Sequence, residues 1–136
     1  MTDKKSEAYR AAVRLLSASD KTPAALVSRL VGKGFDEGEA NDAVLRLTAE
    51  GYVNEARLAE NTVERLYEQY YGEKYIVSYM TEKQFSEDAL DSARDMMKEL
   101  DFNKKAKEYY ASLIRAGKSR TQALSSLHRR GYTVYE

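Results

Sequence analysis

The chain has 136 residues, with 22 basic and 22 acidic side chains, one histidine and no cysteine. That length allows one modest core or a short array of small units, and the even charge excludes a chain-wide polyanion-binding surface. The missing cysteine excludes a disulfide framework, a thiolate zinc site and a cysteine nucleophile, and fits a reducing, cytoplasmic setting.

The opening MTDKKSEAYR lacks the apolar stretch of a secretory leader. No segment approaches the roughly 18 apolar residues of a membrane span. A single proline, Pro23, amid abundant Ala, Leu, Glu, Lys and Arg predicts an all-helical chain.

Helical spacing begins at once, with Tyr9, Ala12, Val13 and Leu16 predicted on one face. A second helix opens at Thr22-Pro23, a cap followed by the proline-tolerant first position, and carries Leu26, Val27, Leu30 and Val31 inward. A third starts at Asp36, with Glu39 at capping-box spacing, a stripe of Ala40, Ala43, Val44 and Leu47, and Gly51 as its stop. Asn54 caps a fourth through about Tyr70, with Leu58, Thr62 and Leu66 on one face, and Gly72 breaks it. Ile76, Tyr79 and Met80 mark a fifth, and Ala89, Leu90, Ala93, Met97 and Leu100 a sixth. The seventh holds Ala106, Tyr110, Leu113 and Ile114 and ends at Gly117; the eighth, from Ser119, buries Ala123, Leu124 and Leu127. Thr133 and Glu136 then stand at capping-box spacing, announcing a ninth helix that the chain does not reach.

A unit recurs with a period near 50. Leu30 and Phe35 bracket VGKG, Met80 and Phe85 bracket TEKQ, and Leu127 and Tyr132 bracket HRRG; Asp36, Ser86 and Thr133, all good caps, follow the aromatics. The predicted fold is therefore an elongated, curved all-α tandem array of three three-helix repeats, at residues 1–53, 54–100 and 101–136, the third incomplete. The repeat also disposes of GKGF as a phosphate loop. A helix precedes it, no Ser or Thr follows the lysine, and Gln84 stands where Gly34 should recur. It reads as a corner, with Gly34 and Gly131 suited to left-handed caps.

No catalytic constellation is present. His128 has no second histidine or cysteine with which to share a metal. The acids Asp36, Glu37, Glu39 and Asp42, like Glu87, Asp88 and Asp91, sit in first helical turns where they complement the helix dipole. Neither metal nor cofactor is expected, and the protein reads as a non-enzyme.

Charge is uneven along the chain. Residues 1–53 hold 8 basic and 8 acidic side chains, residues 54–100 hold 6 and 11, and residues 101–136 hold 8 and 3. The last repeat is thus a basic surface, built from Lys104, Lys105, Lys107, Arg115, Lys118, Arg120, Arg129 and Arg130, suited to phosphates or an acidic protein face. Of the eleven tyrosines, Tyr67, Tyr71, Tyr75 and Tyr79 are spaced by four; core packing is expected for most, with partner contact for others. A helix-turn-helix reader of DNA is disfavoured, because the would-be recognition helices begin DEGEAND and SEDALDSARD and would turn carboxylates toward phosphates.

Over residues 8–135 the chain resembles the RecX regulators of the RecA recombinase. The closest likeness is LVSRLVGKGFDEGEANDAVLRLTAEGYVNEARLAENTVERL, where Gly51, Tyr52, Arg57 and Ala59 match the family's post-corner signature. Tyr71, Gly72 and Ile76, and later LHRRGY, match further family segments. Asn54-Glu55 replaces the usual Asp pair, Leu58 the usual aromatic, and Glu68, Gln69, Glu73 and Tyr75 stand where basic residues are customary. The resemblance implies a cytoplasmic, monomeric regulator that lies in the groove of the RecA–DNA filament and restrains its growth, ATP hydrolysis and strand exchange. That would place it in DNA recombination, repair and the SOS response, without membrane contact and with at most weak DNA binding of its own. Expected partner-binding residues are Lys104, Lys105, Arg115, Lys118, Arg120, Arg129 and Arg130, with Tyr52 and Arg57 at the first junction. Arg57 also stands where it can hold the corner after Gly51, bonding carbonyls or Asn54. The competing readings are a nonspecific nucleic-acid-binding protein and a helical scaffold for some other protein.

Overall fold

The computed structural model describes residues 4–133; the predicted cap pairing with Glu136 lies outside them. The described residues form eight helices and no strand: α1 (Lys4–Ala18), α2 (Pro23–Gly32), α3 (Glu37–Ala49), α4 (Glu55–Glu68), α5 (Glu73–Glu82), α6 (Glu87–Lys98), α7 (Phe102–Arg115) and α8 (Arg120–Arg129). The all-α class is as expected. The repeat is visible in the boundaries themselves. A shift of 50 residues carries the end of α1 and the starts of α2 and α3 onto those of α4, α5 and α6, and a shift of 97 carries α1's end and α2's start onto those of α7 and α8.

The caps form where the sequence places them. Thr22 accepts from the Ala25 N–H at 3.1 Å, Asp36 from Glu39 at 2.8 Å, and Asn54 from Arg57 at 3.0 Å. Ser119 and Gln122 close a reciprocal capping box at 2.9 and 3.1 Å. Each such cap satisfies an orphan N–H and contributes about 1 kcal/mol. At the other end of α1, the Lys21 ammonium donates to the Leu15 carbonyl at 3.0 Å, and burial lowers its pKa.

Helices end in a shared corner. The N–H groups of Phe35, Tyr52, Tyr71, Lys118 and Tyr132 reach back to the carbonyls of Leu30, Leu47, Leu66, Leu113 and Leu127 at 2.9–3.2 Å, the six-to-one bond of a left-handed stop. Gly34 and Gly131 take the left-handed conformation as predicted; Gln84 takes it too, at φ 65°, so the middle corner keeps the geometry without the glycine. After α4 the left-handed residue is Tyr70, φ 65°, and not the predicted breaker Gly72, which has a different task described below.

The chain divides into two compact units. The first comprises Met1–Leu58 with Lys83–Ser86, the second Ala59–Glu82 with Glu87–Glu136. In the first, α3 packs on α1 and α2. Ala40, Ala43, Val44 and Leu47 are buried as predicted, against Ala8, Ala11, Ala12 and Leu15. The inward face of α1 is thus turned by one residue from the predicted one: Tyr9 and Leu16 only flank the core and Val13 is 42% exposed. Both sets fit the helical period equally, but the alanines let α1 and α3 approach closely, which the bulkier set would not. Val31 likewise faces outward. The 83–86 corner joins this unit through Thr22 Oγ1–H to the Lys83 carbonyl at 3.0 Å, Ser28 to Gln84 at 3.2 Å, and Glu55 to the N–H and hydroxyl of Ser86 at 3.0 and 2.7 Å.

The second unit buries Ala59, Val63 and Leu66 of α4, Ile76 and Met80 of α5, Ala89, Leu90, Ala93 and Met97 of α6, Phe102, Ala123, Leu127 and Tyr132. Each large apolar side chain so buried contributes about 1.5–3 kcal/mol. The predicted stripe of α7 is only half covered, and Ile114 is 41% exposed.

Candidate partner-binding surface

The seven cations expected on the last repeat fall into two groups. Lys104, Arg115, Lys118, Arg120 and Arg129 are exposed, as is neighbouring Lys107. Asp101 caps α7 through the Lys104 N–H at 2.9 Å, and the Ser119–Gln122 box fixes the start of α8, so Lys104, Arg115, Arg120 and Arg129 stand on helices and Lys118 in the turn between them. Arg129 donates to Ser126 on its own helix at 2.9 Å.

Lys105 and Arg130 are instead committed inside the unit. The Lys105 side chain is 13% exposed, pairs with Glu68 at 3.1 Å, and lies over the rings of Tyr67 and Tyr70 at 5.1 and 4.7 Å. Burial pulls its pKa down, but the hydrogen bond to Glu68 and the surrounding negative charge outweigh that, leaving it above the ordinary lysine value. Arg130 donates from Nε to the Tyr70 carbonyl and from Nη2 to the Gln69 carbonyl, both at 2.6 Å, capping the C-terminal end of α4. Its guanidinium also covers Tyr71 and Tyr109 at 4.1 and 4.9 Å.

These two cations sit in a nest of aromatic rings. Tyr67 meets Phe102 edge-on at 5.1 Å, Tyr70 stacks on Tyr109 at 5.6 Å, and Tyr71 stacks on Tyr75 at 4.0 Å. Tyr75 in turn stands 6.3 Å from Tyr79, beneath Arg65. The tyrosine excess is thus spent largely on packing within the second unit.

Tyr132 is 3% exposed and its hydroxyl has no hydrogen-bond partner among the described residues. Burial raises its pKa well above the ordinary tyrosine value, with the Arg130 charge opposing. The matching corners carry Phe35 and Phe85. Tyr132→Phe is therefore expected to stabilise the protein by about 1 kcal/mol, since a buried unsatisfied hydroxyl costs roughly that or more. A phenol with a raised folded pKa gives stability that is intact below about pH 10 and lost as pH climbs through the folded value. Denaturant titrations at pH 7 and in the alkaline range should thus show the Phe variant gaining on the wild type as pH rises.

Tyr52 and Arg57 belong to the first unit. Tyr52 is 69% exposed and lies beside a group in which Arg46 covers the Tyr9 ring at 4.0 Å and pairs with Glu50 at 3.4 Å. The Arg57 side chain is exposed, and it is its backbone N–H that meets Asn54.

One cationic group escaped the sequence reading. Lys74, Arg94 and Lys98 line a groove with Glu73, Val77, Ser78 and Met97 in the second unit, where Arg94 pairs with Asp91 at 3.1 Å and Lys98 with Asp95 at 3.3 Å. The excess of acids over residues 54–100 hides these three; only the i, i+4 spacing of Arg94 and Lys98 hints at them. Among the described residues, no cluster of His, Cys, Asp and Glu is fit for a metal ion and no helix is long and apolar enough to cross a membrane.

The comparisons with known proteins agree with one another. A family model for the first three-helix domain of RecX matches residues 8–47. The Regulatory protein RecX of Trichlorobacter lovleyi (strain ATCC BAA-1151 / DSM 17278 / SZ) is 48% identical over 58 residues, which is 43% of this chain and 38% of that protein's own length. Among solved structures, a crystal structure of regulatory protein RecX superposes with TM-score 0.75 at 17% identity, covering 96% of this chain and 68% of that one. RecX from Lactobacillus salivarius gives TM-score 0.64 at 17% identity, covering 94% and 99%. At that identity the likeness is one of fold.

Proposed function

With a chain of the RecX family as the premise, we propose that it is a non-catalytic, cytoplasmic regulator that binds the RecA–DNA filament and restrains its assembly, ATP hydrolysis and strand exchange. The observation that carries this reading is the RecX first three-helix domain at residues 8–47, heading a chain with the RecX fold over nearly all its length. Three helical repeats, read from the sequence at residues 1–53, 54–100 and 101–136, would suit a partner whose own surface repeats. Their unequal charge gives the chain a direction on such a surface. The contact residues are the exposed cations Lys104, Arg115, Lys118, Arg120 and Arg129, with Tyr52 and Arg57 in the first unit. Lys105 and Arg130 contribute by holding the surface in place.

The test is steady-state ATP hydrolysis by RecA on single-stranded DNA, with this protein titrated in and binding to the same naked DNA followed in parallel. Inhibition is expected at concentrations that leave naked DNA unbound. The triple variant Lys118→Glu, Arg120→Glu, Arg129→Glu should need at least about tenfold more protein for the same inhibition, with an unchanged thermal melt, because rim charges govern encounter more than folding. Unaltered hydrolysis would remove the regulator reading. Tight binding to naked DNA that collapses with salt would install the nucleic-acid binder in its place.

A further inference from the structure

Two corners of the chain are held in corresponding ways. In each, the carbonyl just before the left-handed residue accepts a bond. Lys83, ahead of Gln84, accepts from the Thr22 hydroxyl at 3.0 Å, and Arg130, ahead of Gly131, accepts from the Gly72 N–H at 2.7 Å. Thr22 stands directly before α2 and Gly72 directly before α5, so the two donors hold the same place in their repeats. The first pair lies within the first unit and the second pair within the second.

The two holds differ in build. At Gly72 and Gly131 main chain meets main chain with no room for a Cβ, the Lys74 N–H adds a bond to the Gly131 carbonyl at 3.3 Å, and the Arg130 fork closes over them. Thr22 and Gln84 each carry a Cβ, so the first corner cannot be approached that closely, and side chains span the gap. Besides the Thr22 hydroxyl, which is sheltered, these are Ser28 to Gln84 at 3.2 Å and Glu55 to the N–H and hydroxyl of Ser86 at 3.0 and 2.7 Å. The Ser28 and Glu55 bonds are exposed, and water competes for the same groups. Gln84 also takes φ 65° where the other two corners have Gly34 and Gly131, so the held shape is opposed by its own backbone. Phe85, 8% exposed, holds the place of Phe35, which packs into the core of its own repeat as the residue after a left-handed stop does. We propose that Lys83–Ser86 is a latch, a corner that lets go of the first unit while the helices on either side of it stay folded. The chain then has a held and a released form, and whatever binds one form better shifts the balance between them.

The latch is a property of the chain alone, and its test contains no recombinase. The sequence has no cysteine, so one introduced thiol reports by itself. In the full chain, Thr22→Cys puts the thiol behind the corner, at a site 2% exposed, and Val44→Cys puts it in the core of the same unit, at a site 5% exposed. Both are labelled with dithionitrobenzoate under native conditions, each rate taken relative to that of the same chain in denaturant. Thr22→Cys is expected to react at least about 100 times faster than Val44→Cys, because a local opening costs less than opening the unit. Adding Ser28→Ala and Glu55→Ala, which remove the exposed ties, should speed Thr22→Cys at least about fivefold more and leave Val44→Cys unchanged. Rates at the two sites within a few fold of each other would overturn the proposal, since the corner would then open only with the whole unit. So would a Thr22→Cys rate indifferent to Ser28→Ala and Glu55→Ala, which would trace the opening to fraying at the start of α2.

Discussion

Arg130→Ala is expected to lower the stability of the protein by about 3 kcal/mol, and its thermal midpoint by roughly 10 °C. Two charge-assisted bonds to the Tyr70 and Gln69 carbonyls disappear, along with the cover over Tyr71 and Tyr109. Hydrogen bonds to charged groups contribute about 1.5–3 kcal/mol each when sheltered, and the partial exposure of this pair argues for the lower figure. Arg130→Lys should recover less than half of the loss, because an ammonium cannot span two carbonyls as a planar fork does. Denaturant unfolding followed by circular dichroism measures both. A loss below about 1 kcal/mol would mean that the guanidinium is a surface group after all, and Arg130 would return to the candidate partner contacts. The result also decides whether Arg130 can be tested for partner contact at all, since a charge reversal there would say nothing about binding if the unit had opened.

A larger effect is expected at Gly72 and Gly131. Gly72 is buried, its N–H donates to the Arg130 carbonyl at 2.7 Å, and a Cβ there would overlap the backbone of Gly131 and Tyr132. A Cβ on Gly131 would overlap Tyr75, and the residue also has φ 88°. Because the obstructing atoms are mostly backbone, no rotamer change relieves the clash; Gly72→Ala or Gly131→Ala should cost more than about 4 kcal/mol, the range reserved for gross disruption. Gly34→Ala supplies the contrast. Its Cβ would meet open space, so only the left-handed strain of about 1–2 kcal/mol applies. Chemical denaturation of the three variants side by side checks the ranking, and equal losses would refute the close-approach account.

The contrast between these glycines shows where sequence reading reached and where it stopped. Thr22, Asp36, Asn54 and Ser119 were readable as caps because capping is settled within three residues. The stripe of α3 was readable because only one set of its residues is apolar at helical spacing. The face of α1 was ambiguous because two interleaved sets satisfy the same period, and the choice fell to Ala8, Ala11 and Ala12, whose small side chains let α1 pack closely on α3. Gly72 looked like a helix breaker, yet its function is fixed by Gly131, fifty-nine positions away, which no local pattern reveals. The charge excess of the last repeat was plain, but Lys105 and Arg130 are drawn inward by Glu68 and by carbonyls at the end of α4. A basic residue announces its charge in the sequence; its partner is announced only by the fold.

The corner at 83–86 has a practical consequence for anyone dissecting this chain. It belongs to the first unit, although the residues on either side of it belong to the second. A gene fragment ending at residue 58 would therefore leave the Thr22 hydroxyl, 2% exposed in the intact protein, without the carbonyl it serves, and Glu55 without Ser86. Nor can a single protease cut release either unit whole, since the polypeptide leaves the first unit, returns to it for four residues and leaves again. Borders drawn along the repeats would sever what the hydrogen bonds tie together, so deletion mapping of binding activity needs point substitutions in the full-length chain.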